Sequence, residues 1–311
     1  MVTLKIAFLG PEGTFSEEAL FAAVDRSQVD PVPLPTIYDC VIAAQQREVD
    51  RAFVPIENSL EGSVDATLDS LVFETEQVAI TGEVVHAIQH SLIARKKLSL
   101  EEIDRVVSHP QASGQCARFL RERLAQAEVV AAPSTADAVK IVAASEAPWA
   151  ALGTRLAAEI YGCQVLLEGV EDHPENETRF VWLEATETPA AAGGEGVSER
   201  VGGTTASEEA PPPEAAARTK FKTSVVFWGL PDAPGSLVEI LKEFAERGVN
   251  LSKIESRPLK QGLGRYLFLA DLTGAVSDPP IAAALEAVER RVGMLRVLGS
   301  YPAAGQAPPT G

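Results

Sequence analysis

The chain is poor in the residues that build metal centres and disulfide frameworks. Its 311 residues include only 3 Cys and 4 His. Cys40, Cys116 and Cys163 lie too far apart for a zinc-ligand spacing, and an odd number fits no closed set of disulfides. Positive charge is scarce as well: 27 Lys and Arg stand against 44 Asp and Glu, a formal net charge of -17. Without a basic run, nucleic acid is not an expected partner. The acidity reads as solubility and is silent about the substrate, because an anionic ligand needs only local positive potential. No apolar run reaches the roughly 18 residues of a membrane helix. Met1–Lys5 enters a strand with no charged and then apolar leader, so no signal peptide, no membrane and a cytoplasmic location are expected. Gly262 and Gly264 alone make no dinucleotide-binding fingerprint, and neither a cofactor nor a metal is expected.

One stretch lacks nearly everything a core is made from. Residues 186–218 contain no Leu, Ile, Met, Cys or aromatic side chain and are filled with Ala, Gly, Pro, Ser, Thr and Glu. Such a segment cannot bury enough apolar area to offset its ordering entropy, so the composition predicts a disordered linker. As a flexible coil it would reach roughly 30 Å. It divides the chain into a domain over 1–185, a second over 219–301 and a tail over 302–311. Both domains are long enough to bury their own cores.

The first domain alternates strand and helix. Lys5–Leu9 is a short apolar strand and Gly10–Gly13 a turn. Thr14 with Glu17 reads as a capping box for a helix over about Phe15–Val24. Arg51–Ile56 is a strand; Val78–Ala94 is long and β-rich, fit to carry the chain between lobes; Arg105–Val107, Trp149–Leu152 and Val165–Leu167 follow. Ser99 with Glu102, and Ser134 with Asp137, mark helix starts, and Arg179–Leu183 closes the domain. This is an α/β pattern. The second domain reads βαββαβ. Leu237, Ile240, Leu241 and Phe244 make one helical face, and strands over Phe221–Trp228, Asn250–Ser256, Arg265–Leu272 and Met294–Ser300 with a helix over 279–291 complete a ferredoxin-like split βαβ order.

Three polar clusters interrupt apolar strands at their ends: Glu57-Asn58-Ser59, Ser108-His109-Pro110-Gln111 with Gln115, and Thr178-Arg179-Phe180. In open α/β sheets ligands sit beyond the carboxyl ends of strands, which suits the first two. Thr178 precedes its strand in this reading and the rule alone does not place it there.

Together the clusters resemble the prephenate dehydratase family. Gly10-Pro11-Glu12-Gly13-Thr14-Phe15-Ser16 is similar to its opening loop, and Val54–Ser59 with Glu61-Gly62-Ser63-Val64 to its ENS segment. Ser108–Gln111 with Gln115-Cys116, and Asn176-Glu177-Thr178-Arg179-Phe180, match its SHPQ…QC and N-x-TRF segments. Ala112-Ser113-Gly114 departs from the bulkier residues usual there. In the second domain, Gly235-Ser236-Leu237 stands for the Gly-Ala-Leu segment of the family's ACT domain, with Ser236 a departure, and Glu255-Ser256-Arg257-Pro258 is the ESRP segment intact.

The resemblance implies a two-lobed, periplasmic-binding-protein-like catalytic domain, with lobes of about 1–80 plus 165–185 and 81–164, joined to an ACT domain. It implies conversion of prephenate to phenylpyruvate, CO2 and water in phenylalanine biosynthesis. Thr178 would face the departing hydroxyl as hydrogen-bond donor or general acid, with Asn58, Ser108 and Gln115 as neutral donors and Glu57 as a raised-pKa acid or a loop anchor. Thr14, Ser16, Ser59, Arg179 and Phe180 would line the substrate, Arg179 either charging a carboxylate or closing a structural ion pair. Phenylalanine would bind the ACT domain at Gly235, Ser236, Leu237, Asn250, Leu251, Glu255, Ser256 and Arg257, in a homodimer or homotetramer.

Of the histidines, His86 and His90 share a strand face with Val84, Ile88 and Leu92 and read as packing residues. His109 is read as the only His near the site, in a structural role, and His173 as exposed. Two other readings stay open. Arogenate, with an amino group in place of the keto group, would suit the same donors. A non-catalytic two-lobed amino-acid sensor would share the fold, but the intact Thr178-Arg179-Phe180 cluster and the missing leader argue against it. A fused chorismate mutase is not expected, since no helical domain precedes Lys5.

Overall fold

The computed structural model describes residues 3–186 and 220–304. The expected linker over 186–218, apart from Thr186, and the expected tail over 302–311 from residue 305 onward lie outside the described residues. The chain divides into two compact units, residues 1–78 with 83–185, and residues 79–82 with 186–311.

The first unit opens with β1 (Leu4–Leu9), α1 (Phe15–Ala23), β2 (Val29–Leu34), α2 (Ile37–Gln45), β3 (Arg51–Asn58), β4 (Gly62–Ser63), α3 (Asp65–Asp69) and β5 (Val78–Ala87). There follow β6 (Ser91–Ala94), β7 (Arg105–Ser108), α4 (Pro110–Gln115), α5 (Ala117–Arg123), β8 (Glu128–Ala131), α6 (Thr135–Ala143), β9 (Trp149–Gly153), α7 (Arg155–Tyr161) and β10 (Gln164–Glu168). The chain then returns as β11 (Glu177–Ala185). Two sheets result: β2-β1-β3-β11-β5 with β4 beside β3, and β10-β6-β9-β7-β8. Each is the centre of one lobe.

The crossings between lobes fall at residues 88–90 and 169–176, not near 80 and 165 as the sequence suggested. β5 stays in the first sheet to Ala87, and β10 pairs with β6 in the second sheet to Glu168. The crossing segments bond to each other: Val170 N–H donates to His90 O (3.1 Å) and Ile88 N–H to Asn176 O (2.8 Å). Away from them, Thr154 Oγ1 donates to Gly13 O (2.7 Å) and Tyr161 Oη to Glu12 O (3.0 Å), tying the second lobe to the opening loop of the first.

β2 and α2 were not anticipated from the sequence, since Pro31, Pro33 and Pro35 obscure the strand pattern. The prolines are tolerated because β2 is an edge strand, pairing among the described residues only with β1. Pro55 stands inside the sheet, where the register of β3 against β11 shifts between Arg179 and Phe180. A bulge is where a strand can do without one ladder N–H. Behind it Phe53 stacks on Phe180 at 5.0 Å, both fully buried, in a core with Ile6, Phe8 and Leu20. Each such aromatic contributes about 1.5–3 kcal/mol by burial, which fixes β11 against β3.

The second unit carries β12 (Phe221–Trp228), α8 (Ser236–Ala245), β13 (Leu251–Pro258), β14 (Tyr266–Thr273), α9 (Pro279–Glu289) and β15 (Met294–Pro302). The sheet order β13-β14-β12-β15 with βαββαβ connectivity is the ferredoxin-like arrangement read from the sequence. Its helices pack Ile240, Phe244, Ile281, Leu285 and Val288 onto Val225, Phe227, Ala270 and Leu272. The last strand runs to Pro302, and Ala303 N–H still donates to Lys220 O (2.8 Å), so the ordered part outlasts the expected end at 301. No helix among the described residues is long and apolar enough to cross a membrane.

Candidate active site

A cavity of about 420 Å³ opens in the first unit. Its wall takes Thr14, Phe15, Ser16, Pro55, Asn58, Thr178 and Phe180 from the first lobe, His109, Gln111, Gln115, Ser134 and Thr135 from the second, and Ile88 and His90 from a crossing. Asn58 and Ser108 close parallel strands, as the strand-end rule requires. Thr178 does not precede its strand: it is the second residue of β11 and pairs with Asn58. Because β11 runs antiparallel to β3, it begins where β3 ends, and this brings Thr178 to the same edge.

The polarity of the site can be followed from the backbone outward. Leu60 N–H and Glu61 N–H both donate to Asn58 Oδ1 (3.0 Å each). Asn58 Nδ2 therefore faces the other way and donates to Asn176 Oδ1 (2.8 Å) and Thr178 Oγ1 (2.9 Å), with Glu177 O at 3.1 Å. A carbonyl oxygen beside Nδ2 excludes the flipped amide. Asn176 Nδ2 then donates to Gln115 Oε1 (3.1 Å), which His90 Nε2 also meets (2.9 Å). Gln115 Nε2 is left to donate towards Glu61 Oε1 (3.4 Å). The decisive consequence is at Thr178. Its oxygen is already an acceptor, so its own hydrogen is free to point into the cavity.

No Arg or Lys lines the cavity among the described residues. Positive potential comes instead from helix N-termini: α1, α2 and α6 begin at the wall with Phe15, Ile37 and Thr135. Ser134 caps α6 and Thr36 caps α2. α1 has no side-chain cap. The capping box expected there is not formed. Thr14 Oγ1 donates to Leu9 O (3.0 Å), and buried Glu17 accepts from Gly13 N–H (2.5 Å). The first-turn N–H groups of α1 thus stay available to an anion. Burial pushes the Glu17 carboxyl up, against the opposing pull of the Gly13 N–H.

Four expected site residues do not reach the wall. Strand alternation turns Arg179 away from the face that carries Thr178 and Phe180, and Glu57 away from that of Asn58. The two meet instead: Arg179 bonds Glu57 Oε2 (2.8 Å) and, with its other nitrogen, buried Glu83 Oε2 (3.0 Å). Of the two roles open to Arg179, the structural ion pair is the one formed. Ser59 Oγ accepts from Glu177 N–H (3.0 Å) and holds the turn after β3. Ser108 is fully buried and its Oγ donates to His109 O (3.1 Å).

Two residues were missed. His90, read as packing, and Asn176, quoted in a motif without a role, are both buried members of the polar chain. His109 is therefore not alone near the site; it caps α4, its Nδ1 accepting from Gln111 N–H (3.3 Å). His86 lies near Glu18 (3.4 Å), and His173 is exposed. Among the described residues no group of three or more His, Cys, Asp or Glu could hold a metal ion.

In the second unit, Gly235 takes a left-handed conformation (φ 90°) as the N-cap of α8, with Ser236 and Leu237 in the first turn. Asn250 bonds Thr273 Oγ1 (3.3 Å) and Leu251 opens the edge strand β13. A register shift between Leu251 and Lys253 puts Glu255 and Arg257, paired with Leu269 and Leu267, on the sheet face away from the helices. Ser256, opposite Phe268, stays on the helix face with Leu251. The four expected effector residues on β13 thus divide between two faces.

A family model described as prephenate dehydratase matches residues 6–188, and one described as the ACT domain matches residues 223–290. The chain belongs to the prephenate dehydratase family. It is 36% identical over 320 residues to the prephenate dehydratase of Mycolicibacterium vanbaalenii, covering 98% of this chain and 94% of that one. The prephenate dehydratase of Arthrobacter aurescens, solved in complex with L-Phe, superposes with a TM-score of 0.80 at 35% identity, covering 99% of this chain and 92% of that one. GqqA, described as a novel type of quorum quenching acylase, superposes at 0.77 with 28% identity, covering 97% of this chain and 98% of that one.

Proposed function

We propose that the chain dehydrates and decarboxylates prephenate to phenylpyruvate, with Thr178 as the donor to the departing hydroxyl. The ring carboxylate leaves as CO2, its bonding electrons enter the ring, and the carbon–oxygen bond to the hydroxyl breaks. Aromatisation supplies the driving force, so the protein must orient a dianion and stabilise charge building on the leaving oxygen. The observation that carries this reading is the bond from Asn58 Nδ2 to Thr178 Oγ1 at 2.9 Å, which makes the oxygen an acceptor and leaves the hydroxyl hydrogen for the substrate. The departing hydroxide is hydrogen-bonded by Thr178 and becomes water by taking a proton from solvent.

Asn58, Gln115 and Thr178 are the polar side chains assigned to this work, with Thr14, Ser16 and Phe180 shaping the cavity. The uncapped start of α1 supplies N–H donors for a carboxylate, in the place where the sequence suggested Arg179. Arogenate fits the same neutral donors, and turnover of each substrate decides between them. No hydroxyl among the described cavity residues is hydrogen-bonded to an imidazole, so acyl transfer gains no support from the geometry.

Phenylalanine is the proposed effector, bound by the ACT domain at the Gly235–Leu237 turn and Asn250-Leu251 of a neighbouring copy, in a dimer or tetramer. A cytoplasmic setting suits three free cysteines, of which Cys40 and Cys116 are buried with thiols pushed up by burial, Cys40 to about 12. The test is direct. Purified protein with prephenate should form phenylpyruvate; Thr178→Ala should lower kcat about 100-fold or more with KM changed much less, and Thr178→Ser should retain part of the rate. Near-wild-type kcat in Thr178→Ala would remove Thr178 from the chemistry.

A further inference from the structure

His90 is the one buried imidazole in the wall of the cavity, and the reaction as drawn above gives it no part. It is 2% exposed. Its backbone N–H donates to Glu171 Oε2 (2.8 Å) and its carbonyl accepts from Val170 N–H (3.1 Å). The ring meets Phe15 edge-on, centroids 5.0 Å apart and planes at 83°. Its Nε2 lies 2.9 Å from Gln115 Oε1, while Nδ1 is buried with no hydrogen-bond partner.

These contacts fix the tautomer. Gln115 Oε1 already accepts from Asn176 Nδ2, whose direction is set by Asn58 and, behind it, by the N–H groups of Leu60 and Glu61. An oxygen faces His90, so Nε2 carries the hydrogen. A hydrogen on Nδ1 as well would be a buried donor with no acceptor, so the ring is neutral with its lone pair on Nδ1. His90 and Asn176 therefore both clamp the same oxygen of Gln115. The amide cannot turn over without setting donor against donor twice, and its Nε2 group is held towards Glu61, with Gln115 itself in the cavity wall.

We propose that His90 is a positioning residue which, as the Nε2–H tautomer, locks the Gln115 amide so that Gln115 presents N–H donors, never its carbonyl, to an anionic oxygen of the substrate. Without His90 only Asn176 Nδ2 holds that oxygen, so a turned amide, offering an acceptor to an anion, sets donor against donor once instead of twice. The inference rests on the cavity being the prephenate site.

Three variants of the full chain test it, with prephenate as substrate and thermal unfolding as a control. His90→Asn shortens the side chain and loses the donor at Nε2; the KM for prephenate should rise about tenfold or more, as for a lost hydrogen bond to a charged group, with a smaller change in kcat. His90→Gln places an amide nitrogen near the original Nε2 and should restore KM to within about threefold. Gln115→Glu keeps an oxygen for His90 and Asn176 but turns an oxygen, not N–H, to the cavity and to Glu61; it should raise KM at least as far as His90→Asn, with some fall in Tm from the two facing carboxylates, and is assayed where it remains folded. An unchanged KM in Gln115→Glu overturns the proposal even if His90→Asn fails to fold. So does a His90→Gln enzyme that folds like wild type and binds no better than His90→Asn. Absence of turnover by the wild-type protein would instead strike at the dehydratase reading itself, so the two failures are distinguishable.

Discussion

Asn58→Asp is the sharpest single test of the Thr178 assignment, because it changes one atom and leaves the shape alone. In the native site Asn58 Nδ2 donates to Thr178 Oγ1 at 2.9 Å and so leaves the threonine hydrogen for the substrate. An aspartate puts an acceptor at that point. The hydroxyl must then donate to the carboxylate and its hydrogen is withdrawn from the cavity. Removing one donor aimed at developing negative charge costs about 100- to 1000-fold in kcat, or roughly 3–4 kcal/mol, and the new charge adds repulsion against a dianion. The oxygen that remains at Oδ1 still accepts from Leu60 and Glu61 N–H, which moderates the loss of stability. On the other side the carboxylate faces Glu177 O and Asn176 Oδ1, two acceptors, so some fall in Tm is expected. The assay is steady-state formation of phenylpyruvate, at a temperature where circular dichroism shows the variant folded. The expected result is a kcat as low as that of Thr178→Ala. An Asn58→Asp enzyme that is folded and keeps more than about a tenth of wild-type kcat would refute the polarity argument, since a threonine whose hydrogen is engaged elsewhere could not be the donor.

Three further outcomes follow from the same geometry. Arg179→Ala removes the ion-pair partner that Glu83 and Glu57 share and should destabilise the protein by about 3–5 kcal/mol in urea unfolding; a variant of wild-type stability with a raised KM would mean that Arg179 serves the substrate after all. Glu17→Gln tests the buried carboxyl whose proton affinity is raised by burial. A folded-state pKa above the unfolded one costs stability at every pH above the folded value, and that cost disappears below the unfolded value near pH 4.3; the variant should gain Tm at pH 7, with the gain vanishing towards pH 4. Gly235→Val places a branched residue at φ 90°, and should abolish phenylalanine binding in calorimetry while leaving kcat for prephenate within about twofold, a branched side chain being strained there. Retained phenylalanine inhibition in that variant would move the effector away from the turn.

The sequence carried the frame of this protein because the frame depends on local pattern. Helical spacing over Leu237–Phe244 and β-rich runs about the Gly262-Leu263-Gly264 turn were enough for the order of elements in the βαββαβ unit, although of its three strand pairs only β13 with β14 joins sequence neighbours. The motif segments likewise named Asn58, Gln115 and Thr178, which the cavity brings together from β3, α4 and β11. What the sequence could not supply was direction. Thr178 and Arg179 are neighbours in one motif, yet alternation along β11 sends one to the cavity and the other to Glu83. His90 has the spacing of a packing residue, and only the crossing at residues 88–90 turns it towards Gln115. The proline-rich edge strand β2 hid for a related reason: its place at the edge is a property of the sheet, not of its own residues. Above all, the hydrogen that Thr178 offers depends on Asn58, 120 positions away and itself oriented by the N–H groups of Leu60 and Glu61, so the two hydrogen-bond in a fixed sense only once β11 has paired with β3. A linear pattern specifies which side chains are present; the sense of a hydrogen bond is set by the partners that tertiary packing puts at each end.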